Sequence, residues 1–102
     1  MHKETAATRI PMSVKLAVYL RDGQRCILCK QHVHWTCASA HIVRRSQGGK
    51  GVEQNVVTLC PSCHRKTDEG PMAKGNMRDI INYITDLYPG WSREQVTYKK
   101  GD

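Results

Sequence analysis

Residues 26–29 read CILC and residues 59–64 read LCPSCH, which sets Cys26 and Cys29 as one pair and Cys60 and Cys63 as another. Each pair has two residues between its cysteines, the spacing that lets two thiolates meet one tetrahedral zinc ion. Thirty residues separate the pairs, and across that span the chain places His41, then Asn55, then His64 directly after the last cysteine. Four thiolates predict a closed structural metal site. Such a clip ties together two short elements and the polar residues between them. Cys37 stands outside the spacing and reads as a small buried hydrophobe.

At 102 residues the chain is expected to form one domain with a modest core. Phenylalanine is absent and aromatics make up 6%, so the core must rest on aliphatic side chains, and a structural metal would compensate for its thinness. Five cysteines, an odd number, and the paired spacing predict a reducing compartment rather than a disulfide scaffold. The opening MHKETAATRIPMS has no apolar core of a secretory signal, and no apolar stretch reaches the ~18 residues of a membrane span. A cytoplasmic location is the expectation. Sixteen Lys and Arg against nine Asp and Glu leave a formal charge of +7, a balance that points to a polyanionic partner. Arg44, Arg45, Lys50, Arg65 and Lys66 cluster in sequence around the His–Asn–His progression, as phosphate contacts would.

Along the chain, residues 1–10 are polar and unpatterned and predict a disordered start, leaving 11–102 as the domain. Ser13 as a cap and Gly23 as a left-handed exit predict a helix over 13–21. The first cysteine pair then forms a knuckle, TCASAHIV (36–43) and NVVTLC (55–60) predict strands, and RRSQGGKG between them predicts a glycine-rich loop. Pro61 suits the first turn of a helix, on which His64 and Asp68, four apart, share a face. Met77, Ile80, Ile81, Ile84, Leu87 and Tyr88 recur at three-four spacing and predict a second helix over 76–88 with that stripe in the core. SREQV predicts one more turn, so a helical part runs over 76–96. The fold class is α+β.

CPSCH at 60–64 also fits the signature of covalent haem attachment. That chemistry requires export to an oxidising compartment and leaves Cys26, Cys29 and Asn55 without a role, so the metal reading is preferred. His32 and His34 flank the knuckle and read as surface residues.

The segment from Cys26 to Asp68 resembles the zinc-containing HNH endonucleases of phage and bacteria. The matching residues are His41 in AHIVRR, Gly48-Gly49, Asn55, and Cys60 to His64; the lead-in IPMSVKLAVYLRDGQRCILC, ending in Arg-Asp-Gly before the first pair, extends the resemblance over roughly 10–68. It implies a small ββα-metal fold with a core motif over 26–68, a structural Zn²⁺ and metal-dependent hydrolysis of DNA to 5′-phosphate and 3′-hydroxyl ends. It also implies a phage or prophage origin in a bacterial host and, by analogy, DNA-packaging proteins as partners.

The family roles fall on His41 as general base, Asn55 as the brace of the loop that aims it, and His64 and Asp68 as ligands of a catalytic divalent metal. Imidazole plus carboxylate accepts Mg²⁺, Mn²⁺, Ni²⁺ or Zn²⁺. Arg44 and Arg45 are placed to grip phosphates, and Gly48-Gly49 to let the backbone approach nucleic acid. One departure matters. Ala40 stands where the family carries a His or Asp that holds the metal. Either His64 and Asp68 hold it with phosphate and water, or His41 becomes a ligand. The alternative to a nuclease is a zinc-held DNA-binding module without catalysis.

Overall fold

The computed structural model describes residues 3–99. Four α-helices and one two-stranded antiparallel sheet follow in the order α1 (Lys3–Thr8), α2 (Met12–Arg21), β1 (Ala40–His41), β2 (Val56–Val57), α3 (Pro61–Asp68) and α4 (Ala73–Leu87). Short 3-10 turns fill the gaps at Trp35–Cys37, Arg45–Gln47, Glu53–Asn55 and Glu94–Val96. The last of these is the extra turn expected of SREQV. Met1, His2 and the final three residues, in which the expected disordered start and the end of the domain partly fall, lie outside the described residues.

Residues 3–8 are helical, not disordered as their polarity suggested. Tertiary docking outweighs composition here, since Thr8 is buried at 2% although no apolar periodicity announces it. Helix α2 starts one residue earlier than expected. Ser13 does not cap it; Pro11 occupies the N-cap position and its carbonyl accepts the amide of Lys15. Gly23 makes the expected left-handed exit at φ 73°. The two strands are only two residues each, paired Ala40 with Val57 and His41 with Val56. The predicted strand over 36–43 is otherwise a 3-10 turn and bends, because His34 accepts the amide of Thr36 and so closes a turn where a ladder was expected.

Helix α3 begins with Pro61 in its first turn, and its N-cap is Cys60, whose sulfur accepts the amide of Cys63. Helix α4 brings Ile80 and Ile84 into a core with Ile27, Ile42, Val57 and Leu59, while Met77, Ile81 and Tyr88 pack at its margin. Each buried aliphatic chain of this kind contributes about 1.5–3 kcal/mol. Leu87, expected in the same stripe, is 43% exposed. A second small cluster joins Val18 of α2 to Ala38 and Val56.

Asp22 ties these layers together. Its side chain has no exposure and accepts from the Arg21 guanidinium (2.8 and 3.2 Å), the amide of Thr58 (2.9 Å) and the hydroxyl of Tyr83. Arg21 donates onward to the carbonyls of Glu53 (2.7 Å) and Val56 (2.8 Å). Burial, with the Asp22 carboxylate adding to it, pushes the Tyr83 hydroxyl up to about 12, so Tyr83 remains a donor across the ordinary pH range. One carboxylate thus joins the end of α2, the segment after β2, and α4.

Candidate active site

The four paired cysteines converge. Their sulfurs all lie within 4.8 Å of one another, with Cys29 and Cys60 3.7 Å apart. A tetrahedral ion with metal–sulfur bonds of about 2.3 Å sets sulfurs roughly 3.8 Å apart, so the donor set fits such an ion closely. Local geometry prepares both halves. In the first knuckle the carbonyl of Cys26 accepts the amide of Lys30, whose φ of 68° turns the chain back. In the second, the N-terminal turn of α3 presents Cys60 to free amides, where negative charge is favoured. Burial and then the neighbouring Cys60 and Cys26 sulfurs push the Cys63 thiol up, the penalty a cation removes. Among the described residues no histidine joins this cluster.

A second arrangement begins at His64, directly after Cys63. His41, Arg44, Arg45, His64 and Asp68, with Ser39 and Glu69, line one open cleft of ≈ 370 Å³. His64 Nε2 and Asp68 Oδ2 are 3.8 Å apart on adjacent turns, both partly exposed. Two donors on one ion at about 2.1 Å stand roughly 3.0–3.4 Å apart, so a small side-chain rotation lets this pair share an ion. Ala40 is buried at 3% and offers no donor. It borders a smaller cavity of ≈ 30 Å³ that His41, His64 and Asp68 also line.

His41 is held by a bond that defines its chemistry. Its Nε2 lies 2.9 Å from the carbonyl oxygen of Thr8. A carbonyl only accepts, so Nε2 carries the hydrogen and Nδ1 keeps the lone pair. Burial lowers the imidazole below its ordinary value, and the charges of Arg45 and His64 lower it further, against the opposing pull of the Thr8 carbonyl. The lowered value favours the neutral ring.

Asn55 is fully buried and spans the loop after β1. Its Oδ1 accepts the amide of Val43 (2.8 Å) while Nδ2 donates to the carbonyls of Val43 (3.2 Å) and Lys50 (2.9 Å). The glycines serve this closure. A Cβ on Gly49 would stand 1.7 Å from the Val43 carbonyl oxygen and 2.9 Å from Asn55 Nδ2, and Gly48 turns the chain at φ 86°.

Of the five basic residues grouped by sequence, Arg44 and Arg45 reach the cleft. Lys50 does not; it borders a separate hollow with Val52, Gln54, Gln95 and Val96, drawn there because its amide pairs with the Val96 carbonyl. Arg65 and Lys66 are exposed on α3, off the face that His64 and Asp68 share. Thr8 escaped the sequence reading altogether, since nothing local marks it as a partner of His41. Asp22 was visible only as part of the Arg-Asp-Gly lead-in.

A two-stranded sheet flanked by helices, with four cysteines positioned to bind a metal, is a small ββα-metal domain. Residues 26–69 match the family model of the HNH endonucleases. The protein named Anaredoxin from Nostoc sp. (strain PCC 7120 / SAG 25.82 / UTEX 2576) is similar, with 35% identity over 51 residues. That stretch is 50% of this chain and spans 66% of the relative's length. No solved structure matches the chain. No helix among the described residues is long and apolar enough to cross a membrane.

Proposed function

We propose that the protein is a metal-dependent endonuclease hydrolysing DNA phosphodiesters, with His41 as general base, and that the ion of the four-cysteine cluster is a structural zinc. The observation that carries the catalytic reading is the single cleft shared by His41, His64, Asp68, Arg44 and Arg45. The chain's charge of +7 favours a nucleic acid in that cleft. Zinc suits an all-thiolate tetrahedron.

In this reading Nδ1 of His41 takes a proton from a water that attacks phosphorus opposite the 3′ oxygen. The bond from phosphorus to the 3′ oxygen breaks, that oxygen takes up a proton, and one water is consumed per cut. The ends are 5′-phosphate and 3′-hydroxyl. His64 and Asp68 would hold a divalent ion, which would supply Lewis acidity toward the scissile phosphate. The cavity beside Ala40, ≈ 30 Å³, exceeds the ~10–15 Å³ that one water needs, so water can supply the donor that Ala40 lacks. Asn55 keeps the loop after His41 in one geometry. Arg44 and Arg45 hold flanking phosphates, and Arg65 and Lys66 extend the positive surface along α3. Phage DNA-packaging proteins, as partners by analogy, belong to the same proposal.

Plasmid cleavage tests it, with protein stripped at the exchangeable site and given Mg²⁺, Mn²⁺, Ni²⁺ or Zn²⁺ in turn. His41→Ala should reduce the rate by a factor of about 10²–10⁴, the usual contribution of a general base, while DNA binding persists. Equal cleavage by both proteins removes His41 from the mechanism. Ala40 favours a second reading, a metal-held DNA-binding module without catalysis; binding by both proteins with no cleavage in any metal would establish it.

The pH profile carries a further expectation. Because His41 sits below its ordinary 6.5, its base form persists as pH falls through 6.5. The acid limb of kcat/KM should therefore lie below 6.5 and vanish in His41→Ala. The stability sign agrees. The folded state disfavours the imidazolium, so this residue's contribution is present above 6.5 and is lost as pH falls through the lowered value. An acid limb above 6.5 would assign the titration to another group.

A further inference from the structure

The chain ahead of the matched segment docks on His41 and Arg45, two residues that line the cleft. Three successive residues make the contact. Ala7 accepts the amide of Gly51 through its carbonyl at 3.0 Å. Thr8 accepts His41 Nε2 through its carbonyl at 2.9 Å and Arg45 Nε through its hydroxyl at 3.1 Å. Arg9 lies over Gly51, where a Cβ would stand 2.0 Å from its carbonyl oxygen and 2.4 Å from its carbonyl carbon. Gly51 is not among the residues of positive φ, so glycine serves there to admit the neighbouring backbone. The segment thus touches both ends of the loop that runs from His41 to Gly51.

Among the described residues, the bond from Nε2–H to the Thr8 carbonyl is the hydrogen bond that fixes the His41 ring. A neutral imidazole free to rotate exchanges its proton between both nitrogens and offers its lone pair in varying directions. A carbonyl fixed at Nε2 removes both freedoms, and it leaves Nδ1 unprotonated.

We propose that residues 7–9 form an N-terminal strap that positions His41 for the reaction, with the Thr8 carbonyl setting its tautomer and Gly51 as the slot that seats the strap. Thr8 is a positioning residue that acts through His41, so the inference rests on His41 being the base. It places part of the catalytic apparatus outside the HNH segment, in chain that precedes the first cysteine pair.

The test uses the full chain, metal-loaded and labelled with ¹⁵N-histidine, at a pH where the imidazoles are neutral. In the wild type, His41 should give the shift pattern of an Nε2–H tautomer, with a slowly exchanging Nε2 proton close to the Thr8 Hα. Gly51→Ala should unseat the strap and move the His41 shifts toward averaged tautomers. Its kcat on plasmid should fall by about 10–100-fold, the scale for misplacing a catalytic group, with KM changed less than about threefold and cluster metal content unchanged. Gly75→Ala, at a helical glycine with open space around it, serves as the matched control and should behave as wild type.

An Nδ1–H tautomer in the wild type overturns the proposal, and that measurement stands even if Gly51→Ala misfolds. Unchanged His41 shifts and unchanged kcat in a folded Gly51→Ala overturn it as well. If the tautomer responds to Gly51→Ala but the wild type cuts no DNA with any metal, the strap stands as a determinant of the His41 tautomer and the nuclease reading falls.

Discussion

Removal of the ion from the four-cysteine cluster should unfold the domain. The sheet that carries His41 is two residues per strand, and the core contains no phenylalanine. Cys26 and Cys60 are themselves members of that core, so the cluster is continuous with the packing that supports β1 and α3. Structural zinc sites contribute about 10–16 kcal/mol of apparent binding free energy, against a net stability of about 5–15 kcal/mol for an ordinary domain. Loss of the ion therefore exceeds what the remaining contacts can offset. Far-UV circular dichroism during titration with a strong chelator should show loss of helix, reversed by added Zn²⁺. Cys26→Ser, at a position with 0% exposure, should reproduce it, whereas His64→Ala should not release the ion because the four thiols complete the donor set. A cooperative melt retained after complete metal removal would show that the aliphatic core suffices alone.

The second large effect is expected at Asp22. Asp22→Ala removes the carboxylate that accepts from Arg21, Thr58 and Tyr83, and it leaves the largely buried Arg21 side chain without its counter-charge. Breaking one partner of a buried pair costs about 3–5 kcal/mol. Urea unfolding at a fixed, saturating Zn²⁺ concentration should register a loss of that size, since bound metal adds its own stabilisation and must be held constant. Arg21 holds the carbonyls of Glu53 and Val56, which flank Asn55, so under the proposed endonuclease activity the variant should also lose cleavage under conditions where it remains folded. A loss below about 1 kcal/mol would mean that the Arg21 bonds to backbone carbonyls carry the junction without the carboxylate.

These two sites differ in how far each could be read in advance. The metal cluster follows from spacing alone, because two residues between cysteines dictate a turn that any folded context must respect. Asp22 appeared only as one letter of a familiar lead-in. Two of its partners, Thr58 and Tyr83, are 36 and 61 residues further along the chain, and no local rule selects them. Glycine shows the same divide. Gly23 was legible, since a left-handed exit is a local demand after a helix. Gly49 and Gly51 were not, because what excludes a Cβ there is the backbone of Val43 and of Arg9.

The sequence by itself determined whatever acts within about one turn of chain: the paired cysteines, the helix opened by Pro61, the shared face of His64 and Asp68, and the apolar stripe of α4 up to Ile84. Helical period and turn geometry are properties of the local backbone, so these features survive any packing. Only the tertiary structure decided the rest. It shortened the strands to two residues, turned Lys50 away from the cleft, drew Arg44 and Arg45 into it, and set the Thr8 carbonyl against His41 across 33 positions of chain. Those outcomes depend on which distant groups satisfy one another once the core closes, and spacing along the chain does not record that choice.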